Sequence, residues 1–328
     1  MTFSFRILLV LLILFPVLPA QATSNKTLFD EILQGQEAVA GLKRHEAVID
    51  GQKIFYLDNE KKGGRAILLI HGFGDSSMTW VQFARRLRDN GFRIIAPDLL
   101  GFGQSPRPPQ ADYRFAAQAG RMFELMRQLG IENFHVAGNS MGGGVAAEMA
   151  VEQPAKILSL TLIDAAGVHY KPADLDRALL AGRNMLVLKT PQDFEAMLDM
   201  VFTNRPPSPR PVLDYLAERA IKDAPLHEKI MKDALFEDVN FLLLKMDAIT
   251  SPTLILWGEK DRVLSPENAK VFNRFIKGSQ VVIMPGLGHA PQVEAPYESS
   301  DVVVKFIDAL STTSADAVSA GAAVSAKK

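Results

Sequence analysis

Short continuous apolar runs alternate with segments whose apolar residues recur every three or four positions, and this alternation constrains the fold more than any other property of the chain. Ala66-Ile67-Leu68-Leu69-Ile70 is such a run and suits a strand buried on both faces. Strands are expected at 66–70, 93–97, 134–138, 158–164, 253–257 and 280–284, with helices near 77–89, 113–129, 141–152, 266–276 and 296–310. Arg44 to Leu57 reads as two further strands turning at Asp50-Gly51, a hairpin signal. The pattern predicts an α/β fold with a mostly parallel eight-stranded sheet and helices on both faces.

One long interruption breaks the alternation. Residues 168–248 read mostly as helices, joined by the stiff Arg205-Pro206-Pro207-Ser208-Pro209-Arg210-Pro211. Inserted after the strand ending at Asp164, they would cover the carboxyl edge of the sheet as a helical cap. Apolar cap residues such as Leu179, Met185, Phe194, Met197 and Met200 would divide between cap core and pocket wall, and methionines adapt to irregular apolar shapes. The expected organisation is 1–22 leader, 23–43 helical segment, 44–167 core, 168–248 cap, 249–310 core again, and 311–328 tail.

The chain ends follow different rules. Arg6 precedes Ile7 to Phe15, an apolar stretch closed by Pro16 and Pro19, and Ala20-Gln21-Ala22 has the A-x-A form of a cleavage site. This predicts a signal peptide removed after about Ala22, hence export to the periplasm or beyond. The alternative is an uncleaved membrane anchor, for which the stretch is short of the roughly 20 residues that span a bilayer. Residues 26–42 read as an amphipathic helix that docks on the body or touches a lipid surface, docking being the expectation. The Ala/Ser-rich stretch from Ser311 to Lys328 has little to bury and is expected to be disordered. The chain has no cysteine, which excludes disulfides and thiol chemistry, and a net charge of −1 without a basic block, so nucleic-acid binding has no electrostatic footprint.

Between the strand at 134–138 and the helix at 141–152 lies Gly138-Asn139-Ser140-Met141-Gly142. A serine on so sharp a turn has its hydroxyl pushed clear of the backbone, and the glycines let the turn close. A serine hydroxyl needs a base, and the base an orienting group. His289 follows the strand at 280–284 in a loop that can reach the sheet edge. Of the other histidines, His45 precedes the first buried strand, His135 lies within a strand, His169 and His227 fall in the insertion, and His71 suits a structural hydrogen bond. Asp261 sits just past the strand ending at Gly258, where open α/β sheets put their chemistry. Its rivals are Glu259, read as a solvated turn residue, and Asp164, which ends the preceding buried strand. The loop His71-Gly72-Phe73-Gly74 after the first buried strand offers the Phe73 N–H, and the residue after the serine offers the Met141 N–H, as a pair of donors for an oxyanion. Ser140, Asp261 and His289 are the candidate catalytic residues, and the scheme requires no metal or cofactor.

His71-Gly72-Phe73-Gly74, Pro97-Asp98-Leu99-Leu100-Gly101-Phe102-Gly103-Gln104-Ser105, Gly138-Asn139-Ser140-Met141-Gly142-Gly143 and Gly288-His289 together resemble the capped α/β-hydrolases. The likeness is to bacterial family V lipases and to monoacylglycerol lipases of the α/β-hydrolase-domain type, and covers roughly residues 45–310. It implies a serine ester hydrolase with a small-molecule ester or lipid substrate. Haloalkane dehalogenases and epoxide hydrolases carry an aspartate where this chain has Ser140, which sets them aside. Carbon–carbon hydrolases of aromatic breakdown share Gly-Asn-Ser-Met-Gly-Gly, but many have a tryptophan after the catalytic histidine, where this chain has Ala290. They remain the alternative, and a non-catalytic binding protein on the same fold is the alternative of another class. Acyl chain length, head group and oligomeric state are not written in these motifs.

Overall fold

The computed structural model of the chain describes residues 24–236, 240 and 242–325. The leader expected at residues 1–22 lies outside them. Eight strands, β1 (Lys43–Ile49), β2 (Gln52–Asp58), β3 (Arg65–Ile70), β4 (Phe92–Pro97), β5 (Phe134–Asn139), β6 (Ile157–Ile163), β7 (Thr253–Gly258) and β8 (Gln280–Met284), form one sheet in the order β1-β2-β4-β3-β5-β6-β7-β8. The β1–β2 and β2–β4 pairs are antiparallel, and all others are parallel. The hairpin between β1 and β2 closes at Asp50 and Gly51, both with positive φ (51° and 72°), the geometry that Asp-Gly adopts at least cost.

The helices are α1 (Asn25–Ala40), α2 (Val81–Asp89), α3 (Phe115–Gln128), α4 (Met141–Glu152), α5 (Asp174–Leu180), α6 (Pro191–Val201), α7 (Arg210–Lys222), α8 (Ala224–Met231), α9 (Asn268–Phe275), α10 (Pro291–Glu294) and α11 (Pro296–Ser325). The period-two geometry of a strand sends successive side chains to opposite faces. Leu68 and Ile70 of β3 therefore join α3, α4 and α9 in one core, with Met122, Val145, Met149 and Phe272. Ile67 and Leu69 join α1, α2 and α11 in the other, with Phe29, Phe83, Leu87 and Val303. Burial on this scale is worth about 1.5–3 kcal/mol per large apolar side chain and holds the sheet that carries the site.

Helix α1 docks on the body. Ser24 caps it by accepting the Thr27 N–H at 3.2 Å, and Gly41, at φ 70°, ends it. Phe29 and Leu33 are buried between α2 and α7, and the Phe29 ring lies 5.0 Å from that of Tyr215. At the other terminus the structure differs from the expectation of a disordered tail: α11 continues past residue 310 to Ser325. The stretch is rich in alanine, the strongest helix former, so a helix already nucleated by packing can propagate along it. Among the described residues no helix is long and apolar enough to cross a membrane.

Candidate active site

Ser140 stands alone between β5 and α4 with φ 54° and ψ −119°, a conformation that is rare outside glycine and collects at functional sites. Its N–H donates to Ile163 O at 3.0 Å, and its carbonyl accepts from the N–H groups of Gly144 and Ala166 at 3.1 and 2.9 Å. A Cβ on Gly138 would lie 2.1 Å from Gly142 O, and one on Gly142 would lie 2.2 Å from Ile70 O. Both glycines are thus required by the closeness of strand and helix. Ser140 is only half-buried, so its hydroxyl remains within reach of a ligand.

Asp261 and His289 meet. His289 Nδ1 lies 2.8 Å from Asp261 Oδ2, and both residues are buried. A carboxylate only accepts, so Nδ1 carries the hydrogen and Nε2 is left as the acceptor of the neutral ring. Asp261 is held from below: Oδ1 accepts the N–H groups of Val263 and Leu264 at 2.8 and 2.9 Å, and Oδ2 also accepts Trp257 Nε1–H at 3.1 Å. Its rival Glu259 is exposed, accepts the Gly286 N–H at 2.9 Å and pairs with Lys260 at 3.8 Å. No bond joins Ser140 Oγ to His289 Nε2 among the described residues. Such bonds are often long without substrate and tighten in the complex.

The nucleophile turn and the histidine loop are joined through Asn139, for which the sequence offered no role. Its Nδ2 donates to His289 O at 3.0 Å and to Ile163 O at 3.2 Å. The loop after β3 lies against the same turn, since a Cβ on Gly72 would be 3.3 Å from Ser140 Cβ. In that loop His71 serves the backbone, donating from Nδ1 to Gly72 O at 2.7 Å and accepting the Leu99 N–H on Nε2 at 3.0 Å. Met141 opens α4, so its N–H belongs to the first helical turn, which has no partner within the helix.

The helices inserted between β6 and β7, where a cap is expected, reach each of these loops. The N–H groups of Asp174 and Leu175 at the start of α5 donate to Arg262 O, next to Asp261, at 3.0 and 3.2 Å. The His289 N–H donates to Val201 O at the end of α6 at 2.8 Å. Glu294 clasps the same seam: Oε1 accepts the Gly288 N–H at 2.7 Å, and Oε2 accepts those of Thr203 and Asn204 at 3.1 and 2.7 Å. Burial raises the Glu294 carboxyl above its ordinary range, against the pull of those three donors. On the third side His227 of α8 packs its ring 5.2 Å from Phe73 and 5.6 Å from Phe102, and Arg107 pairs with Asp223 at 2.9 Å. Burial lowers the His227 imidazole to about 4, so it is neutral at pH 7. Val187, Ala224 and Met231 complete an apolar cluster against Phe73.

Asp164, Asp261 and His289 have ligand atoms within 4.8 Å of one another, close enough for a metal ion. The Asp261 oxygens and His289 Nδ1 are already engaged in hydrogen bonds, and an ion would have to break them. The donor set therefore fits a carboxylate–imidazole pair better than a metal. An open recess of about 350 Å³ lies at the opposite, amino-terminal edge of the strands, lined by Lys61, Arg65, Arg93, Glu132 and His135 among others, far from the serine turn.

A family model described as alpha/beta hydrolase fold matches residues 65–296. "Lipase 1" of Psychrobacter immobilis is 38% identical over 254 residues, covering 76% of this chain and 79% of its own length. A monoacylglycerol lipase of Xenopus laevis is 30% identical over 273 residues, covering 80% and 81%. Among solved structures, one titled as a membrane phospholipase A, a bacterial virulence factor, superposes with a TM-score of 0.84 at 38% identity, covering 87% of this chain and 92% of its own.

Proposed function

The chain belongs to the alpha/beta hydrolase fold family, and from that premise we propose that it is a serine carboxylic-ester hydrolase acting on acylglycerols or similar lipid esters through Ser140, His289 and Asp261. The observation that carries the reading is the buried Asp261–His289 bond of 2.8 Å, tied by Asn139 to the strained turn that bears Ser140. His289 Nε2 takes the hydroxyl proton as Ser140 Oγ attacks the ester carbonyl. Asp261 holds the ring in the required tautomer and stabilises the imidazolium without taking its proton. The tetrahedral oxyanion is received by the N–H groups of Phe73 and Met141, and losing one such donor typically costs about 100- to 1000-fold in rate. His289 returns the proton to the leaving alcohol, and water then releases the acyl group by the same route. No metal or cofactor enters the scheme.

The substrate class rests on the relatives, whose names specify a lipase, a monoacylglycerol lipase and a phospholipase A, all hydrolases of esters on a glycerol frame. In this reading the chain is exported by the leader expected at residues 1–22. Ser140→Ala is expected to lower hydrolysis of p-nitrophenyl esters by about ten-thousand-fold or more, and full activity in that variant would sink the proposal. A fluorophosphonate that leaves Ser140 unlabelled would favour a binding protein instead. Turnover of a meta-cleavage diketone without ester hydrolysis would favour the carbon–carbon hydrolase.

A further inference from the structure

One buried carboxyl group beside the site is unused by this scheme. Asp164 directly follows β6 at φ 45° and is fully buried. Its Oδ1 accepts the Gly258 N–H at 2.9 Å, while its Oδ2 has no hydrogen-bond donor among the described residues. The ligand atoms of Asp164, Asp261 and His289 lie within 4.8 Å of one another, so the two carboxyl groups are close neighbours.

The two are served very unequally. Asp261 accepts from Val263, Leu264, Trp257 and His289, whereas Asp164 accepts from Gly258 alone. Two buried carboxylates at such range do not both ionise, and the charge settles on the one whose oxygens are met by donors. The weakest donor to Asp261 is Trp257 Nε1–H, which is shared with Leu264 O at 3.3 Å, so Asp261 retains capacity for one more. We propose that Asp164 stands as a neutral carboxylic acid whose Oδ2–H is donated to Asp261, so that the pair carries a single charge and Asp261 is fixed in its orientation toward His289. Asp164 is then a positioning residue. Burial and the neighbouring Asp261 charge both drive its carboxyl well above the ordinary range, and the Glu294 charge adds to them. Its positive φ is the local cost of turning the side chain inward from the end of β6.

The consequence for catalysis rests on the hydrolase reading above, but the protonation state does not. In the full-length protein at pH 7, the infrared difference spectrum of wild type minus Asp164→Asn is expected to contain a carboxylic-acid C=O band that shifts in D₂O. Absence of that band overturns the proposal. Asn at 164 presents an acceptor to Gly258 and an N–H donor to Asp261, so Asp164→Asn should keep kcat within about threefold of wild type. Asp164→Ala should lose about tenfold or more in kcat with little change in KM, because Asp261 is no longer held. Equal loss in both variants also overturns the idea. If Asp164→Ala fails to fold, the band and the Asn variant still decide. An ester-inactive wild type, or an active Ser140→Ala, would overturn the hydrolase reading and leave the band unaffected.

Discussion

The strands beneath the site and the cap above it are held by different means. β5 and β7, which lead to Ser140 and Asp261, are buried at every residue and paired on both sides. Helix α6 buries only Phe194 and Met200 of its eleven residues, and α7 only Val212 and Ala217 of its thirteen. The sheet is fixed by apolar burial and a continuous main-chain ladder. Helices α5 and α8 also bury apolar side chains, among them Leu175, Ile230 and Met231, whereas α6 and α7 lean more on polar bonds to loops, above all those of Glu294, Val201 O and Arg107. Position in the sheet is therefore over-determined, while α6 and α7 depend more on single contacts that one substitution can remove.

The contrast can be broken most sharply in the sheet. Leu256 of β7 is fully buried, and Leu256→Ala should cost about 2–5 kcal/mol of stability. The same change at the half-buried Leu198 of α6 should cost well under that. Chemical denaturation measures both, and equal costs would show the cap to be as tightly built as the sheet. Next comes the clasp. Glu294→Ala leaves the N–H groups of Gly288, Thr203 and Asn204 without their acceptor and should lower kcat/KM about tenfold, with Glu294→Gln in between. Unchanged kinetics in the Ala variant would show that the seam does not govern His289.

The smallest effect concerns acid. Burial lowers His135 in the sheet and His227 in the cap seam to about 4, and nearby Arg65, or Arg107 and Arg219, push the same way, while Asp223 opposes this at His227. With folded values below the unfolded value of about 6.5, the unfolded chain binds more protons, so stability falls as pH drops from about 6.5 toward 4. The loss should be about 1 kcal/mol per histidine by pH 5.5. Melting temperatures at pH 7 and 5.5 should show it. Replacing either histidine by glutamine should remove that residue's share, and only His227→Gln should also change KM at acid pH.

The same division governs what could be read from the chain. Strands betray themselves by local apolar runs, and β3, β5, β6 and β7 fall where those runs predict them. The order of Ser140, Asp261 and His289 along the sequence, with strand–turn–helix context, singled out residues of which Asp261 and His289 are directly bonded. Asn139 and Glu294 escaped because their partners are distant in sequence, Asn139 acting on residue 289 and Glu294 on 203 and 204, while Asp164 was read only as a rival acid because its bond to residue 258 is equally distant. No periodicity or motif reports such pairings, and an isolated carboxylate reads as solvated until its donors are seen. The continuation of α11 was missed for a related reason, since alanine-rich composition serves both a helix and a tail.

The bonds from α5 to Arg262 O and from the His289 N–H to Val201 O, with the ring contact of His227 on Phe73, tie the helices inserted between β6 and β7 to the loops that carry Asp261, His289 and Phe73 at once. On the proposed mechanism, selectivity and turnover are therefore not independent traits. A mutation that reshapes the cap at any of these seams for a new ester also disturbs the machinery below it. Adaptation at the least cost to rate would run through α6 and α7 side chains that bear on none of the three, and directed evolution for altered chain length should accumulate its early substitutions there.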